Sequence, residues 1–229
     1  MRGMTRSVLL AVISLCAAAA PARSQVVVNG GAPNGGAGWN IFDDNRAATV
    51  FSLSGSTSFD AIRFWGILFQ SAPYTPDVFW QILRDNGGSP GTSVALEGNA
   101  VASATLDSEL ASSPGAFSWQ FDLATGTRTL SDGVYWLALH DGPLDPGAFT
   151  GSSLIWETTN APGAYAIQTF SIDQTWNPGD QAGLAFDLRT MPVVSTPEPG
   201  SVILLGSGLL SIGGVGAMRR RRERGMNPE

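Results

Sequence analysis

The sequence predicts an all-β protein: a β-sandwich of jelly-roll type, carried between an N-terminal signal peptide and a C-terminal transmembrane helix. Three observations predict it. Phe117–Leu123 and Leu184–Arg189 alternate apolar and polar residues, so one face of each meets a core and the other meets water. Asp60–Phe69, Val78–Arg84, Val134–His140 and Ala164–Ile172 carry aromatic and β-branched residues on both faces and read as central strands of two stacked layers. Turn signals separate the runs at Asn86–Gly91, Ser131–Gly133, Gly142-Pro143 and Asn177–Asp180, and no stretch between the chain ends keeps helical spacing. About eight to ten short strands between such turns make a sandwich.

Residues 1–24 form the first element. Arg2 and Arg6 precede an uninterrupted apolar and small run from Val8 to Ala20, and Ala22-Arg23-Ser24 puts small residues before a cut at Gln25. That is the three-part pattern of a secretory signal, and its apolar run is too short to span a roughly 30 Å hydrocarbon layer comfortably. Cys16, the chain's one cysteine, lies inside it. The exported protein therefore has no disulfide and no thiolate metal site, and its core alone must hold it.

Residues 25–190 are the β domain. It opens on Gly30–Gly38, read as a flexible loop or leading linker. Residues 191–200 are a linker containing Pro197-Glu198-Pro199. Proline fixes φ and disfavours helix in the residue before it, so this motif stays extended and readable. Residues 201–218 are apolar, glycine-rich and free of charge. As a helix they span about 27 Å, the lower end of what a bilayer needs. Residues 219–229 begin with Arg219, Arg220, Arg221 and Arg222, a stop-transfer cluster that holds the tail on the cytoplasmic side and leaves the β domain outside.

The order of Pro197-Glu198-Pro199, an apolar segment and a terminal arginine cluster resembles the PEP-CTERM sorting signal of Gram-negative bacteria. The resemblance covers the last 34 or so residues. It implies recognition by an exosortase, a membrane-embedded protease or transpeptidase that cuts near the motif and passes the protein to the cell surface or the extracellular matrix. Such proteins accompany exopolysaccharide production and biofilm growth. The body is similar to a choice-of-anchor-like domain that recurs in such proteins, through Phe59–Trp65, Phe79–Gly91 and Leu130–Leu137. That similarity implies a sandwich related to carbohydrate-binding and adhesin modules.

Charge separates the body from its signals. All 13 basic residues are arginines, and only Arg46, Arg63, Arg84, Arg128 and Arg189 lie in the body, against 16 of the 19 acidic residues. The body therefore carries a formal −11. Such a surface repels phosphate backbones, so no nucleic-acid partner is expected.

The sequence displays no catalytic set. His140, the only histidine, adjoins Asp141, but neighbours on a strand point to opposite faces. No Gly-x-Ser-x-Gly elbow accompanies them. The acidic pairs Asp43/Asp44, Asp107/Glu109 and Asp141/Asp145 sit in turn-like contexts, where Asp caps backbone groups. Nothing in the sequence marks a buried carboxylate of the kind glycoside hydrolysis needs. Asp85-Asn86-Gly87-Gly88 has turn chemistry rather than the ligand spacing of a calcium loop. No cofactor is expected, although an acidic sandwich accommodates a Ca²⁺ gathered from distant loops, which linear spacing does not display.

Seven tryptophans lie in the body. Trp65, Trp80, Trp119 and Trp136 fit the core and Trp156 fits either side. Trp39 and Trp176 fall in Gly/Asn/Pro-rich stretches, where an aromatic either closes the end of a sandwich or stacks on a sugar ring. The expected function is that of a secreted, surface-sorted, non-enzymatic protein of an exopolysaccharide matrix, structural or carbohydrate-binding. A glycan-active hydrolase on the same scaffold and an uncut type I membrane adhesin are the rival expectations.

Overall fold

The structure, a computed structural model, describes residues 24–69, 77–110, 115–144, 153–169, 175–179 and 182–191. All of them belong to the compact unit 23–192. The segments expected to be a signal peptide (all but Ser24) and a transmembrane helix, with Pro197-Glu198-Pro199 and Arg219–Arg222, lie outside the described residues, as does Asp145.

The described residues are strands joined by turns, with no helix among them. In order they are Gln25–Asn29 (β1), Pro33–Asn40 (β2), Asn45–Leu53 (β3), Thr57–Phe69 (β4), Asp77–Asp85 (β5), Pro90–Glu109 (β6), Ala116–Leu130 (β7), Gly133–Asp141 (β8), Ile155–Thr159 (β9), Tyr165–Thr169 (β10), Asn177–Gly179 (β11) and Phe186–Thr190 (β12). Strand neighbours run β1-β12-β4-β7-β6-β5-β8-β3-β10-β11, with β9 joining β4 and β2 joining β9. All these pairings are antiparallel.

The long strand β6 makes the sheet curl. Its first half pairs β5, from Pro90 to Val101, and its second half pairs β7, from Ala102 to Glu109. The halves on either side of β6 then face each other across one core. Phe64 stacks on Phe121 within one half, with centroids 4.8 Å apart. Phe186 of that half meets Phe51 of the other edge-on at 5.8 Å. Trp80, Trp156, Ile62, Leu123, Leu137 and Leu139 fill the same core. Each large apolar side chain buried there stabilises the fold by about 1.5–3 kcal/mol relative to exposure. The central strand β8 is covered on both faces, as its composition predicts, whereas β4 buries one face and leaves Arg63 and Trp65 half-buried on the other. Leu137 and Leu139 face the main core, while Trp136 and Ala138 join Ala48, Leu83 and Ala166 in a second cluster behind β8.

Several expectations are corrected. Most of Gly30–Gly38 is strand rather than loop: β2 runs beside β9, pairing Gly38 with Glu157 and Trp39 with Trp156. Glycine makes this possible, because a Cβ at Gly38 would overlap Ile155 and the main chain of Trp156. Asn177–Gly179, read as a turn, is a short edge strand on β10. Asp107 and Glu109 lie in β6, and Asp141 ends β8 fully buried, rather than in turns. Trp65 is not core: Phe64 beside it is fully buried, so Trp65 points outward and is only half-buried. Trp119 faces inward with Phe121 but sits at the rim, half-buried against the core.

Candidate functional site

Trp39 and Trp176 occupy opposite faces of β10, so they cannot form one continuous platform. The register sets this. Tyr165 and Ile167 pair with Thr49 and Ala47, and Ala47 faces the main core, whereas Ala166 and Gln168 pair with Ala48 and Arg46, which face away from it. Trp39 stacks on Tyr165 at 4.9 Å and 29°. Trp176 packs against the cluster containing Ala48 and Ala166.

The Trp39 side carries a cavity. The ring bridges from β2 to β10 and so closes the seam between them. It also walls a recess of about 310 Å³ lined by Gly38, Trp39, Asn40, Asn45 and Ile167. Asn45 is oriented by Thr169, whose hydroxyl donates to Asn45 Oδ1 at 2.9 Å. Its amide N–H groups remain the donors on that side chain. Asn40 is exposed at the mouth. An aromatic wall, an aliphatic contact and two amides suit a small, uncharged, hydroxyl-rich ligand better than an ion.

The Trp176 side is a polar row that satisfies itself. The Arg46 guanidinium lies 4.6 Å under the Trp176 ring. Arg46 donates to Gln168 at 2.6 Å and to Gln81 at 2.5 Å, and Gln81 donates to Glu97 at 2.8 Å. Burial lowers the guanidinium to about 10, which still leaves it charged at neutral pH. Trp176 is therefore the lid of a structural cation site.

His140 is buried and holds a turn. Its Nδ1 lies 3.0 Å from the Gly142 carbonyl and its Nε2 2.8 Å from the Asp43 carbonyl. Asp43 has φ 55°, a left-handed conformation that costs a non-glycine residue and persists only when neighbours fix it. Both ring nitrogens thus face main-chain oxygens rather than a cleft. Asp85 is likewise engaged: it accepts from the Gly88 N–H at 3.1 Å and from Trp136 Nε1 at 2.8 Å. Gly87 and Gly88 have φ 67° and 90°, which makes this a turn as its composition predicts.

Three carboxylates are buried that the sequence did not mark as buried: Asp141, Glu157 and Asp187. Glu157, on β9, is fully buried. Gly35 N–H donates to its Oε1 at 2.6 Å and Ser118 Oγ to its Oε2 at 2.7 Å. Burial raises its pKa; the two hydrogen bonds pull it back, and the negative charge of Asp107 raises it further. Its only sequence signal was its place beside Trp156 in an apolar strand. Among the described residues no group of three or more His, Cys, Asp or Glu side chains is placed to hold a metal ion. No family model matches the chain, and no curated protein matches it.

Proposed function

We propose that this chain is a secreted, surface-sorted and non-enzymatic protein of a bacterial exopolysaccharide matrix, and that its body contacts neutral glycan through the Trp39 recess. An exosortase-like protease would read Pro197-Glu198-Pro199, with the apolar segment and Arg219–Arg222 holding the chain in the membrane until the cut. We further infer that the curled sheet is a β-sandwich of jelly-roll type, because its two halves bury one common core. The single observation that carries the glycan reading is the recess beside the Trp39–Tyr165 stack, with Asn40 and Asn45 in reach of hydroxyl groups.

Titration of the mature protein with neutral oligosaccharides tests the reading. Trp39→Ala and Asn40→Ala should each weaken binding by about tenfold. Asn40 is exposed, so its variant leaves the fold untouched. Equal affinity in both variants and the wild type would remove the recess from the account.

One observation favours the hydrolase reading over a plain adhesin. Glu157 is a buried acid with a raised pKa, the property a general acid needs. Both its oxygens are already occupied by Gly35 and Ser118, which favours the structural role. Turnover of a glycan panel by the wild type, lost in Glu157→Gln, would restore the hydrolase.

A further inference from the structure

The outer face of the β12–β4–β7–β6 layer presents a half-buried indole beside a row of fixed polar groups. Its geometry follows from one alternation. Phe64 is buried against Phe121, so Arg63 and Trp65 project from the other side of β4. Cross-strand register then lines up two rows. Asp187 pairs Arg63, Arg63 pairs Asp122, and Asp122 pairs Ser103. One step along, Trp65 pairs Gln120 and Gln120 pairs Thr105. At about 4.8 Å between strands, the four-strand row is roughly 14 Å across.

The groups in this strip are fixed. Arg63 Nε and a terminal nitrogen donate to the two Asp122 oxygens at 2.7 and 2.9 Å, and Gln120 Nε2 donates to Asp122 at 3.0 Å. The ion pair keeps access to water, with 21% and 35% of its side chains exposed. Ser103 and Thr105 are exposed beside it. A half-buried indole flanked by an oriented amide, a planar ion pair and two hydroxyls offers one apolar ring face and a row of donors and acceptors.

Charge selects the occupant. The strip contains Arg63 and Arg189 against Asp122 and Asp187, with the exposed Asp107 two residues past Thr105 on β6, so it carries one net negative charge on a body of −11. An anionic polymer would meet repulsion from the surrounding surface, and a polycation would be drawn to the rest of the molecule instead. We propose that this face binds an extended, neutral polysaccharide, with Trp65 stacked on a sugar ring and Gln120, Ser103 and Thr105 bonded to its hydroxyls. Together with the Trp39 recess, which lies at the β2–β10 seam, it lets one molecule bridge two glycan chains. The platform stands alone, whereas the bridging rests on the glycan reading of the recess.

Co-sedimentation of the mature protein with amorphous cellulose, a neutral glucan, and with polygalacturonate, an anionic one, tests both statements. Retention on cellulose is expected to fall about tenfold in Trp65→Ala and in the exposed-face variant Gln120→Ala, with little retention on polygalacturonate. Turbidity of a soluble neutral glucan should rise with the wild type and with neither Trp65→Ala nor Trp39→Ala. Unchanged cellulose retention in both platform variants, or tighter binding to polygalacturonate, would overturn the platform. So would a drop in sedimentation coefficient in Trp65→Ala, which would show the face to be a contact between copies of the chain. If only Trp65→Ala abolished turbidity, the recess reading would fail and the platform would survive.

Discussion

His140 and Glu157 show at the scale of single residues how buried polar groups are used here. His140 fastens the Asp43 turn to the end of β8, its ring nitrogens lying 3.0 and 2.8 Å from the carbonyls of Gly142 and Asp43. Its replacement by alanine leaves a cavity and removes a hydrogen-bond donor from a buried carbonyl, so His140→Ala should cost about 2–4 kcal/mol in chemical denaturation. A loss under 0.5 kcal/mol, of the order of an ordinary surface change, would contradict this role. Glu157 contributes through pH. Its folded pKa lies above its usual 4.5, so the folded state holds the proton more tightly than the unfolded state. The stability from this group is fully present below the unfolded pKa and is lost as pH rises through the raised folded value. Asp187 is also raised by burial, with Arg189 and Arg63 opposing the shift, and it adds to the same trend. Glu157→Gln should flatten the decline, and thermal melts between about pH 4 and 7 would show it. An identical pH slope in the variant would refute the assignment.

Among the elements, β2 is the one on which the recess depends. It is held to β9 by a close main-chain approach at Gly38, and its bulge between Pro33 and Gly38 sends the Gly35 N–H to Glu157. A Cβ at Gly38 has nowhere to go. Gly38→Ala should therefore push β2 outward, separate Trp39 from Tyr165 and destabilise the protein by about 1–3 kcal/mol. The near-ultraviolet circular dichroism of the Trp39–Tyr165 pair should weaken with it; an unaltered spectrum would contradict the coupling. The strands β4, β5, β8 and β12 were legible in the sequence because periodicity and β-branched runs report burial directly. β2 was not, since its glycines look like a loop until a partner strand shows why side chains are excluded. β6 was hidden for another reason: its faces are largely solvated, so composition carries little pattern. The outward turn of Trp65 was readable in principle, from its spacing of two from Arg63, but its apolar neighbours masked the parity.

Across the whole molecule, the division of charge orders the account. Eight of the 13 arginines lie in the two chain ends, residues 1–24 and 219–229, and the body between them is acidic, free of lysine and without cysteine. It holds itself together with an aromatic core shared by both halves of one curled sheet. The Trp39 recess, lined by uncharged residues, and the Trp65 strip, where Arg63 and Arg189 offset most of the acid, interrupt that acidic surface. Raising ionic strength should therefore leave neutral-glycan retention within about twofold, because screening acts on charge and these contacts are stacking and hydrogen bonds. A severalfold loss of retention between low and physiological salt would point to a charged ligand instead. The account as a whole holds that the finished protein is the body alone, delivered by a tail that does not persist. Intact-mass analysis of the protein recovered from the surface of its own cells tests this most directly. The predicted result is a chain beginning at Gln25 and ending close to Pro197-Glu198-Pro199; a mass that still includes Ser201–Glu229 would contradict it.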